Sequence, residues 1–411
     1  MRIVLVNHCH PDTPHVCATR LRAFAGALAE RGHRVALVTE PLRGGGVPPS
    51  ARDITEMLKA GIEPSPMIVA TPRKRRRVLE ALRRGLWPWG IRQALIAYYY
   101  LLYGGLYADW RAGARPYVAT LAADFKPDIV WASFGSVDCW QIAQDIARAV
   151  QCPWVGDLKD FWTGFIPGPL RNRLAARFRD AAAWTALSRT HAEASRPWFG
   201  PQIDVVYSGF ETDAIRREKK DAPEDTLLMT LTGSVYGGKF LKPLLTGLAN
   251  WANGKPEEFR KRLLFIYRGN AQYEVGAALA RAKLPFQAKA GGFVPLDELQ
   301  ELHQLAFANL YVTNSRTFHH KAIELLAARR PILAFPPDHA EATDLAERTG
   351  GSFHQCRSAA HLAESLDEAL AAYEAPEPPV DDKLESLTWA AQAAELEKVF
   401  ERVVAKRPKT N

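Results

Sequence analysis

Short apolar runs alternate with segments of helical periodicity along this chain, and that alternation constrains its fold more than any other feature. Ile3–Asn7 has the apolar character of a strand, Thr19–Arg31 carries apolar residues at helical spacing, and Arg34–Thr39 is a second apolar run. A strand, a helix and a strand in this order form a βαβ unit, whose strands are parallel. The opening of the chain therefore predicts an α/β fold.

Further apolar runs follow, and the pattern restarts near residue 227. The runs that we predict as strands are Asp128–Ser133, Trp154–Leu158, Ala182–Leu187, Leu227–Thr232, Leu264–Tyr267, Phe286–Lys289, Ala308–Thr313, Pro331–Phe335 and Gly351–Phe353. Helical segments at Val137–Val150 and Leu170–Asp180 separate the earlier runs, and each later run precedes a helix-like stretch. We therefore predict two doubly wound, Rossmann-like domains, at residues 1–208 and 209–380, with a crossover helix within 381–411.

The charged segment Asp213–Asp225 is expected to form a hinge region between these domains. Ligands of doubly wound sheets bind beside the carboxyl ends of the strands. Two domains that face each other would therefore enclose a ligand cleft between them.

Composition places the chain among globular proteins, because 47% of its 411 residues are hydrophobic and 24% are charged. Its formal net charge of +8 favours an anionic partner such as phosphate, lipid or nucleic acid. Five cysteines without a C-x-x-C pair indicate neither a disulfide framework nor a zinc ribbon. This cysteine usage favours a reducing compartment.

No segment has the length of a membrane-spanning helix. The longest uncharged apolar stretch, Gln93 to Ala108, has 16 residues, whereas a spanning helix needs about 20. The first residues also lack the basic lead and long apolar core of a signal peptide. We therefore expect a cytoplasmic protein.

An ordered set of motifs covers nearly the whole chain. These motifs are the loop from Asn7 to Pro14 followed by Thr19 and Arg20, the strand and turn Pro153–Trp162, the turn Val206–Glu211, the glycine-bearing turn Thr232–Lys239, the helix and strand Lys321–Ala334, and the tail helix from Trp389. In this order they resemble the motifs of the group 1 (family four) glycosyltransferases of GT-B fold. The resemblance implies a nucleotide-sugar donor bound by the second domain and an acceptor bound by the first.

The chain departs from that family pattern at three of the motifs. Lys159 stands where an arginine is usual, and Ser208 and Glu211 replace residues of the usual Asn-Gly-x-Asp turn. Arg316 occupies the position of a second glutamate, eight residues before Glu324, so the double-glutamate motif is incomplete. This last departure motivates an alternative in which the protein binds a ligand without catalysis.

A nucleotide sugar carries a diphosphate, so its site needs backbone N–H donors at a helix N-terminus and cations. Gly233 and Ser234 follow a predicted strand and supply the turn, and Lys239 and Lys321 are the candidate cations. The alternatives are an ordinary strand-to-helix turn and, for Lys321 with Glu324, a surface ion pair. By resemblance, Glu324 binds the ribose, Lys321 the diphosphate, and Tyr236 and Arg268 complete the donor site.

Acidic residues at the carboxyl end of a predicted strand are candidates for acceptor binding. Asp157 and Asp160 occupy this position, and Arg20 lies in the first turn of the first helix. Asp160 is also the candidate catalytic residue of this domain, together with Lys239 and Lys321 of the second. The alternatives are carboxylates that cap the following turn and a surface arginine.

The first loop crowds histidines and cysteines together, at His8, Cys9, His10, His15 and Cys17. Their spacing fits no standard zinc pattern, and the resemblance implies transfer without a metal ion. We therefore predict no metal and no cofactor besides the nucleotide sugar, which is a substrate. A proton-shuttling role for one of the histidines stays open.

An insertion at residues 73–110 carries much of the excess positive charge. Residues 73–84 contain seven cations and one acid, and eight aromatic residues follow within residues 87–110. Basic residues beside interfacial aromatics suit an anionic membrane surface. The residues that we predict to contact it are Arg75, Arg76, Arg77, Trp87 and Trp89. The alternatives are a nucleic-acid patch, which no other feature supports, and a solvated basic helix followed by a buried aromatic one.

These features together predict a hexosyltransferase-like enzyme at the inner face of the cytoplasmic membrane. By resemblance, it retains the anomeric configuration and acts on a glycan or lipid-linked acceptor in cell-envelope polysaccharide biosynthesis. A sugar-nucleotide epimerase of the same fold is the enzymatic alternative. A catalytically degenerate binding subunit is the non-enzymatic one.

Overall fold

The computed structural model of the chain describes residues 1–216, 222–223, 225–235, 238–312, 318–375 and 382–406. The chain divides into two compact units, Met1–Ser208 with Trp389–Asn411 and Gly209–Thr388. The predicted hinge segment Asp213–Asp225 lies partly outside the described residues, and Tyr236 and Arg316 lie outside them altogether. Within the described part of the chain, no helix combines the length and the apolar character needed to cross a bilayer.

A parallel sheet of seven strands forms the centre of the first unit. Its strands are β1 (Arg2–Val6), β2 (Arg34–Thr39), β3 (Met67–Ala70), β4 (Ile129–Ser133), β5 (Trp154–Leu158), β6 (Ala183–Ala186) and β7 (Asp204–Val205). Its first nine helices are α1 (Val16–Glu30), α2 (Ala51–Ala60), α3 (Arg77–Arg83), α4 (Trp89–Leu102), α5 (Ala108–Thr120), α6 (Val137–Val150), α7 (Trp162–Phe165), α8 (Gly168–Arg177) and α9 (Arg189–Phe199). The strand order is β3-β2-β1-β4-β5-β6-β7, so the topological switch point lies between β1 and β4.

Residues of the central strands alternate between two cores, one on each face of this sheet. On β1, Val4 and Val6 belong to the core that α5 and α6 cover. Ile3 and Leu5 belong to the opposite core, which includes Phe24 of α1. This alternation follows from the twofold repeat of a strand, and both faces of a parallel sheet are usually covered.

The second unit contains a parallel sheet of six strands. Its strands are β8 (Leu227–Thr232), β9 (Leu263–Arg268), β10 (Gln287–Gly291), β11 (Ala308–Tyr311), β12 (Ile332–Ala334) and β13 (Phe353–Gln355). Its helices are α10 (Thr212–Arg216), α11 (Leu241–Asn253), α12 (Glu257–Arg262), α13 (Gln272–Ala282), α14 (Leu296–Leu305), α15 (Lys321–Leu326), α16 (Ala340–Arg348) and α17 (Ala359–Glu374). The order β10-β9-β8-β11-β12-β13 places the switch point between β8 and β11.

The last helix, α18 (Trp389–Ala405), belongs to the first unit and packs against α1. Trp389, Leu396 and Phe400 are buried in the same core as Phe24. The rings of Phe24 and Trp389 meet edge to face, with centroids 5.5 Å apart. This is the crossover helix that the tail sequence predicts.

Both sheets confirm the predicted α/β class of two Rossmann-like units. Every run predicted as a strand forms one, with bounds that differ by at most a few residues. Two strands of the first unit, β3 and β7, are not predicted from the sequence.

Candidate functional site

The turn after β8 lies at the switch point of the second sheet. Gly233 has φ of +86°, a left-handed conformation that glycine adopts readily. Its N–H donates to the carbonyl oxygen of Arg268 at 2.8 Å, and the Tyr267 hydroxyl donates to its carbonyl oxygen at 2.6 Å. Neighbouring strand β9 thus fixes the turn, and the N–H of Gly233 is already in use. Among the described residues, the N–H of Ser234 has no acceptor.

Lys321 reaches this turn from the first position of α15. A Cβ built on Gly233 would lie 3.9 Å from Lys321 Cε, so the lysine side chain passes over the turn. Its Nζ lies 3.4 Å from Glu324 Oε2, and His320 Nε2 lies 3.1 Å from Glu324 Oε1. The side chains of Lys321 and Glu324 are 18% and 32% exposed, so a solute can reach both.

The rest of α15 is apolar and buried, as the sequence predicts. Its buried residues are Ala322, Ile323, Leu325 and Leu326. Ion pairs on solvent-exposed helices usually lie among other polar residues, whereas this pair lies on a helix whose other residues are buried and apolar. The structure therefore brings Gly233, Lys321 and Glu324 together at one end of the sheet.

A buried histidine, which sequence reasoning missed, lies behind this pair. His303 is 2% exposed, and its Nε2 lies 2.8 Å from Thr232 Oγ1. Desolvation and the charge of Lys321 lower the pKa of His303 well below its usual value, so it is neutral at pH 7. Desolvation acts to raise the pKa of Glu324, but Lys321 and His320 outweigh it and bring that pKa below its ordinary value. Charge at this site therefore resides on Lys321 and Glu324.

Two other predicted donor-site cations, Lys239 and Arg268, make contacts other than with this pair. Lys239 is exposed, in a 3₁₀ turn that precedes α11, and its Nζ lies 4.8 Å from the centre of the Phe240 ring. No described residue links Lys239 to the Lys321–Glu324 pair by a hydrogen bond or ion pair. Arg268 is half-buried, and its guanidinium lies across Gly291, where a Cβ would be only 1.8 Å away.

Arg20 and Asp157 lie inside the first unit, away from solvent. They are 1% and 0% exposed, and Arg20 Nη2 lies 3.2 Å from Asp157 Oδ1. Arg20 also donates to Ser208 Oγ and the Val206 carbonyl oxygen, both at 3.0 Å. Removing one partner of a buried ion pair costs about 3–5 kcal/mol, because the other charge is then left buried without compensation. Neither side chain is open to solvent, and acceptor binding by Arg20 and Asp157 stays a prediction.

Asp160 stays accessible at the carboxyl end of β5. Its side chain is 32% exposed and lies 2.8 Å from the ammonium of Lys159, which is 7% exposed. Burial raises the pKa of Asp160 although Lys159 opposes the shift. Asp160 is therefore the one predicted acceptor residue that offers a carboxylate to solvent at this edge.

Two arginines of the basic insertion are fixed by carboxylates rather than available to a partner. Arg73 Nε and Nη2 donate to Glu40 at 2.8 and 2.6 Å. Arg83 Nη1 and Nη2 donate to Asp109 at 2.9 and 2.7 Å. The Arg73–Glu40 pair holds the insertion to the body of the first unit, and the Arg83–Asp109 pair joins two parts of the insertion. In contrast, residues 75–77 are all exposed arginines, and no ion pair engages them within the described residues.

Apolar side chains on α4 face solvent next to those arginines. Trp89 is 79% exposed, whereas Trp87 packs into a small core with Leu79, Leu82 and Tyr99. The exposed side chains around Trp89 are Leu86, Ile91, Tyr98, Leu101 and Leu102, at 69%, 51%, 46%, 40% and 65%. Tyr98 lies seven residues from Ile91, three from Leu101 and four from Leu102, so these four side chains share one face of α4, whereas Trp89 lies at the N-terminal end of the helix. The insertion thus presents an apolar stripe and a basic cluster together.

No protein-family model matches the chain, and no curated protein matches it by sequence. Solved structures do match over nearly its full length. Sucrose-phosphate synthase of Thermosynechococcus elongatus is 14% identical over 99% of this chain and 100% of its own, with a TM-score of 0.63. HepE of Anabaena, solved with UDP-glucose, is 14% identical over 99% and 98%, with a TM-score of 0.57. The proposed UDP-N-acetylglucosamine 2-epimerase of Listeria monocytogenes is 11% identical over 99% and 98%, with a TM-score of 0.57.

At such low identity the likeness shows the fold alone. That fold is the GT-B fold, which confirms the fold predicted from the ordered motifs. The fold by itself does not determine the reaction, since a synthase and a proposed epimerase share it among these structures.

Proposed function

We propose that the protein is a glycosyltransferase whose second unit binds a nucleotide-sugar donor. The observation that carries this proposal is the Lys321–Glu324 pair beside the Gly233 turn, at the switch point of the second sheet. Ligands of doubly wound sheets bind at such points. A cation for the diphosphate and a carboxylate for the ribose are the two groups that a nucleotide requires there.

Each half of the pair has a role in this proposal. Lys321 donates to the diphosphate, and the ionised Glu324 accepts hydrogen bonds from the ribose hydroxyls. The N–H of Ser234 is a further donor for phosphate, since the N–H of Gly233 is used by Arg268. Lys239 and Arg268 remain proposed donor contacts at the margins of the site. HepE, which shares the fold, was solved with UDP-glucose, and this favours UDP as the first nucleotide to test.

The proposed reaction needs no metal ion. When the sugar leaves, negative charge develops on the departing diphosphate, and fixed positive groups stabilise it there. Lys321 and the Ser234 N–H supply such groups in the second unit. We propose retention of the anomeric configuration, with the departing diphosphate close to the incoming hydroxyl. Asp160 of the first unit is the proposed contact for an acceptor hydroxyl.

We further propose that the acceptor is a lipid-linked or cell-envelope glycan at the inner face of the cytoplasmic membrane. Support comes from the apolar stripe of α4 and the exposed Trp89 at its N-terminal end, together with three exposed arginines at residues 75–77. Each basic residue near an anionic surface contributes about 1 kcal/mol. A peripheral contact of this kind places the enzyme where a lipid-linked acceptor is found.

Donor binding and product analysis test the enzymatic part of the proposal. A thermal-shift screen of nucleoside diphosphates and their sugars identifies the donor, because a ligand at 100 times its Kd stabilises by about 2.7 kcal/mol. Donor turnover is then followed by NMR with and without added glycan acceptors. A transferase consumes donor in proportion to acceptor. Donor isomerisation without acceptor indicates an epimerase instead, and an absence of both binding and turnover favours a non-enzymatic binding subunit.

Vesicle co-sedimentation tests the membrane part. Replacing Arg75, Arg76 and Arg77 with glutamine should reduce sedimentation with anionic vesicles and leave donor binding unchanged. The difference should shrink at high salt, because charges are screened within about 8–10 Å at moderate ionic strength. A variant with Trp89→Ser should lose binding that salt does not abolish. Equal sedimentation of all these proteins would remove the membrane contact.

A further inference from the structure

Two cysteines from separate elements meet at the switch point of the first sheet. Cys9 lies in the loop after β1, and Cys17 lies in the first turn of α1. Their sulfur atoms and an imidazole nitrogen of His15 all lie within 4.8 Å of one another. Cys17 is 4% exposed and Cys9 is half-buried, so solvent reaches the pair from the side of Cys9.

Three such groups resemble a zinc site, but a buried positive charge beside them opposes a metal ion. His15 Nδ1, which lies 3.9 Å from Cys9 Sγ, accepts the N–H of Cys17 at 3.1 Å, so this nitrogen is already engaged and leaves Nε2 as the only imidazole nitrogen for a metal ion. The positive charge of Lys159, whose side chain is only 7% exposed, acts on the Cys17 thiol and lowers its pKa. A buried positive charge next to the ligands repels a divalent cation strongly at low dielectric.

The same contacts favour a thiolate at Cys17. The neighbouring Cys9 has the largest effect, and together with His15 and Lys159 it outweighs desolvation and lowers the pKa of the Cys17 thiol. The hydrogen bond to Cys17 and desolvation raise the pKa of Cys9. A helix N-terminus and a nearby lysine are the surroundings in which reactive cysteines are found. The pair therefore combines a nucleophilic thiolate with a neighbouring thiol.

We propose that Cys9 and Cys17 are a redox-active pair that a hydroperoxide converts reversibly into a disulfide. The Cys17 thiolate attacks one peroxide oxygen, so that an S–O bond forms, the O–O bond breaks, and the leaving hydroxide takes a proton from solvent. The Cys9 sulfur then attacks the Cys17 sulfur, the S–S bond forms, and the oxygen leaves as water with the proton of Cys9. In sum, two thiols and hydrogen peroxide give one disulfide and two molecules of water, and a dithiol reverses the change.

The geometry allows this closure with little movement. The two sulfur atoms must approach from within 4.8 Å to about 2.05 Å, and one of them lies in a loop. The disulfide would tie the loop after β1 to α1 and remove the thiolate that faces Lys159. Lys159 would then have Asp160 as its remaining ionic neighbour at 2.8 Å. An effect of oxidation on acceptor binding rests on the proposed function, whereas formation of the disulfide does not.

Mass spectrometry of the full-length protein tests the proposal. Reduced protein is treated with stoichiometric hydrogen peroxide, unfolded, alkylated with N-ethylmaleimide and digested. We expect a loss of two hydrogen masses, protection of Cys9 and Cys17 from alkylation, and recovery of both on treatment with dithiothreitol. A Cys9→Ser variant should accumulate a dimedone-reactive sulfenic acid at Cys17, and a Cys17→Ser variant should form neither product. Cys356→Ser, a change at a buried cysteine of the second unit, is the matched control and should form the disulfide normally.

Full alkylation of both cysteines after peroxide treatment would overturn the proposal. So would stoichiometric zinc that protects both thiols in the reduced protein, because it would establish a metal site. A second measurement uses the pH dependence of Cys17 alkylation by iodoacetamide in the native protein. The rate should be nearly flat from about pH 6 to 8, and in Lys159→Gln it should rise with pH over part of this range, because one of the groups that lower the pKa of Cys17 is lost. Identical, steeply rising profiles in both proteins would contradict the thiolate on which the proposal depends.

Discussion

Replacing Lys321 with methionine removes the proposed diphosphate contact and little else. Methionine keeps most of the side-chain length over Gly233 but removes the ammonium, which lies 3.4 Å from Glu324 Oε2. Partly exposed ion pairs contribute only about 0.2–1 kcal/mol to stability. We therefore expect Lys321→Met to fold with a melting temperature close to that of the wild type.

The expected loss of nucleotide affinity is larger than this loss of stability. A hydrogen bond between charged groups contributes about 1.5–3 kcal/mol, which corresponds to about 10- to 150-fold in Kd. Without Lys321, no cation separates the negative carboxylate of Glu324 from the negative diphosphate, and the repulsion between them weakens binding further. We therefore expect binding to weaken about 30-fold or more. The salt dependence of binding should also become shallower, because one favourable charge contact is lost.

Isothermal titration calorimetry with UDP, GDP and ADP at two salt concentrations measures these effects. Lys261→Met is the matched control, since it makes the same charge change in the second unit on a side chain that is 58% exposed and pairs with Glu258 at 2.8 Å. The control should bind as the wild type does. If Lys321→Met and Lys261→Met both bind the diphosphate with wild-type affinity, Lys321 does not contact the phosphates and the assignment is wrong.

Three further predictions concern other groups. Glu324→Ala should weaken nucleoside diphosphate binding about tenfold, and unchanged calorimetric affinity for every nucleotide tested would remove the ribose assignment. Excess chelator should leave the rate of sugar transfer nearly unchanged, and a loss that one added metal restores would contradict a metal-independent reaction. Burial raises the pKa of Asp138 to about 6 from an ordinary value of 3.8. The folded protein therefore binds a proton at Asp138 more tightly than the unfolded chain does, and the free energy of unfolding falls as the pH rises from about 3.8 to about 6. Asp138→Asn should therefore stabilise by about 1–3 kcal/mol in urea at about pH 8 and give no gain at about pH 4, and an equal effect at both would refute this cause.

Most of the fold follows from local sequence because parallel strands that are buried on both faces must be continuously apolar. The bounds predicted for Arg34–Thr39, Trp154–Leu158 and Leu227–Thr232 match the observed strands. The two strands that were not predicted are the edges of the first sheet, β3 and β7, with four and two residues. Edge strands are often short, since only one neighbour pairs with them, and so they leave little signal in the sequence.

The candidate site was predictable where its residues are close in sequence. Lys321 and Glu324 are three positions apart on a helix whose other residues are buried, and their pairing follows from that spacing. The burial of Arg20 was not predictable, because its partners Asp157 and Ser208 are 137 and 188 residues away. His303 gave no signal either, since a histidine on an amphipathic helix has the same pattern whether it faces the core or solvent.

Helix α18 has a consequence for the order in which the chain folds during synthesis. The second unit is continuous, Gly209–Thr388, whereas the first unit is completed only by residues from Trp389 onward. Trp389 covers Phe24, and Glu397 pairs with His33 at 2.5 Å and with Arg31. During synthesis from the N-terminus, the apolar face of α1 in the first unit stays uncovered until α18 emerges from the ribosome. The second unit can form its core before α18 is made. The first unit is therefore completed after the second, although most of its residues are synthesised earlier. Until α18 is made, the uncovered face of α1 exposes the nascent first unit to aggregation.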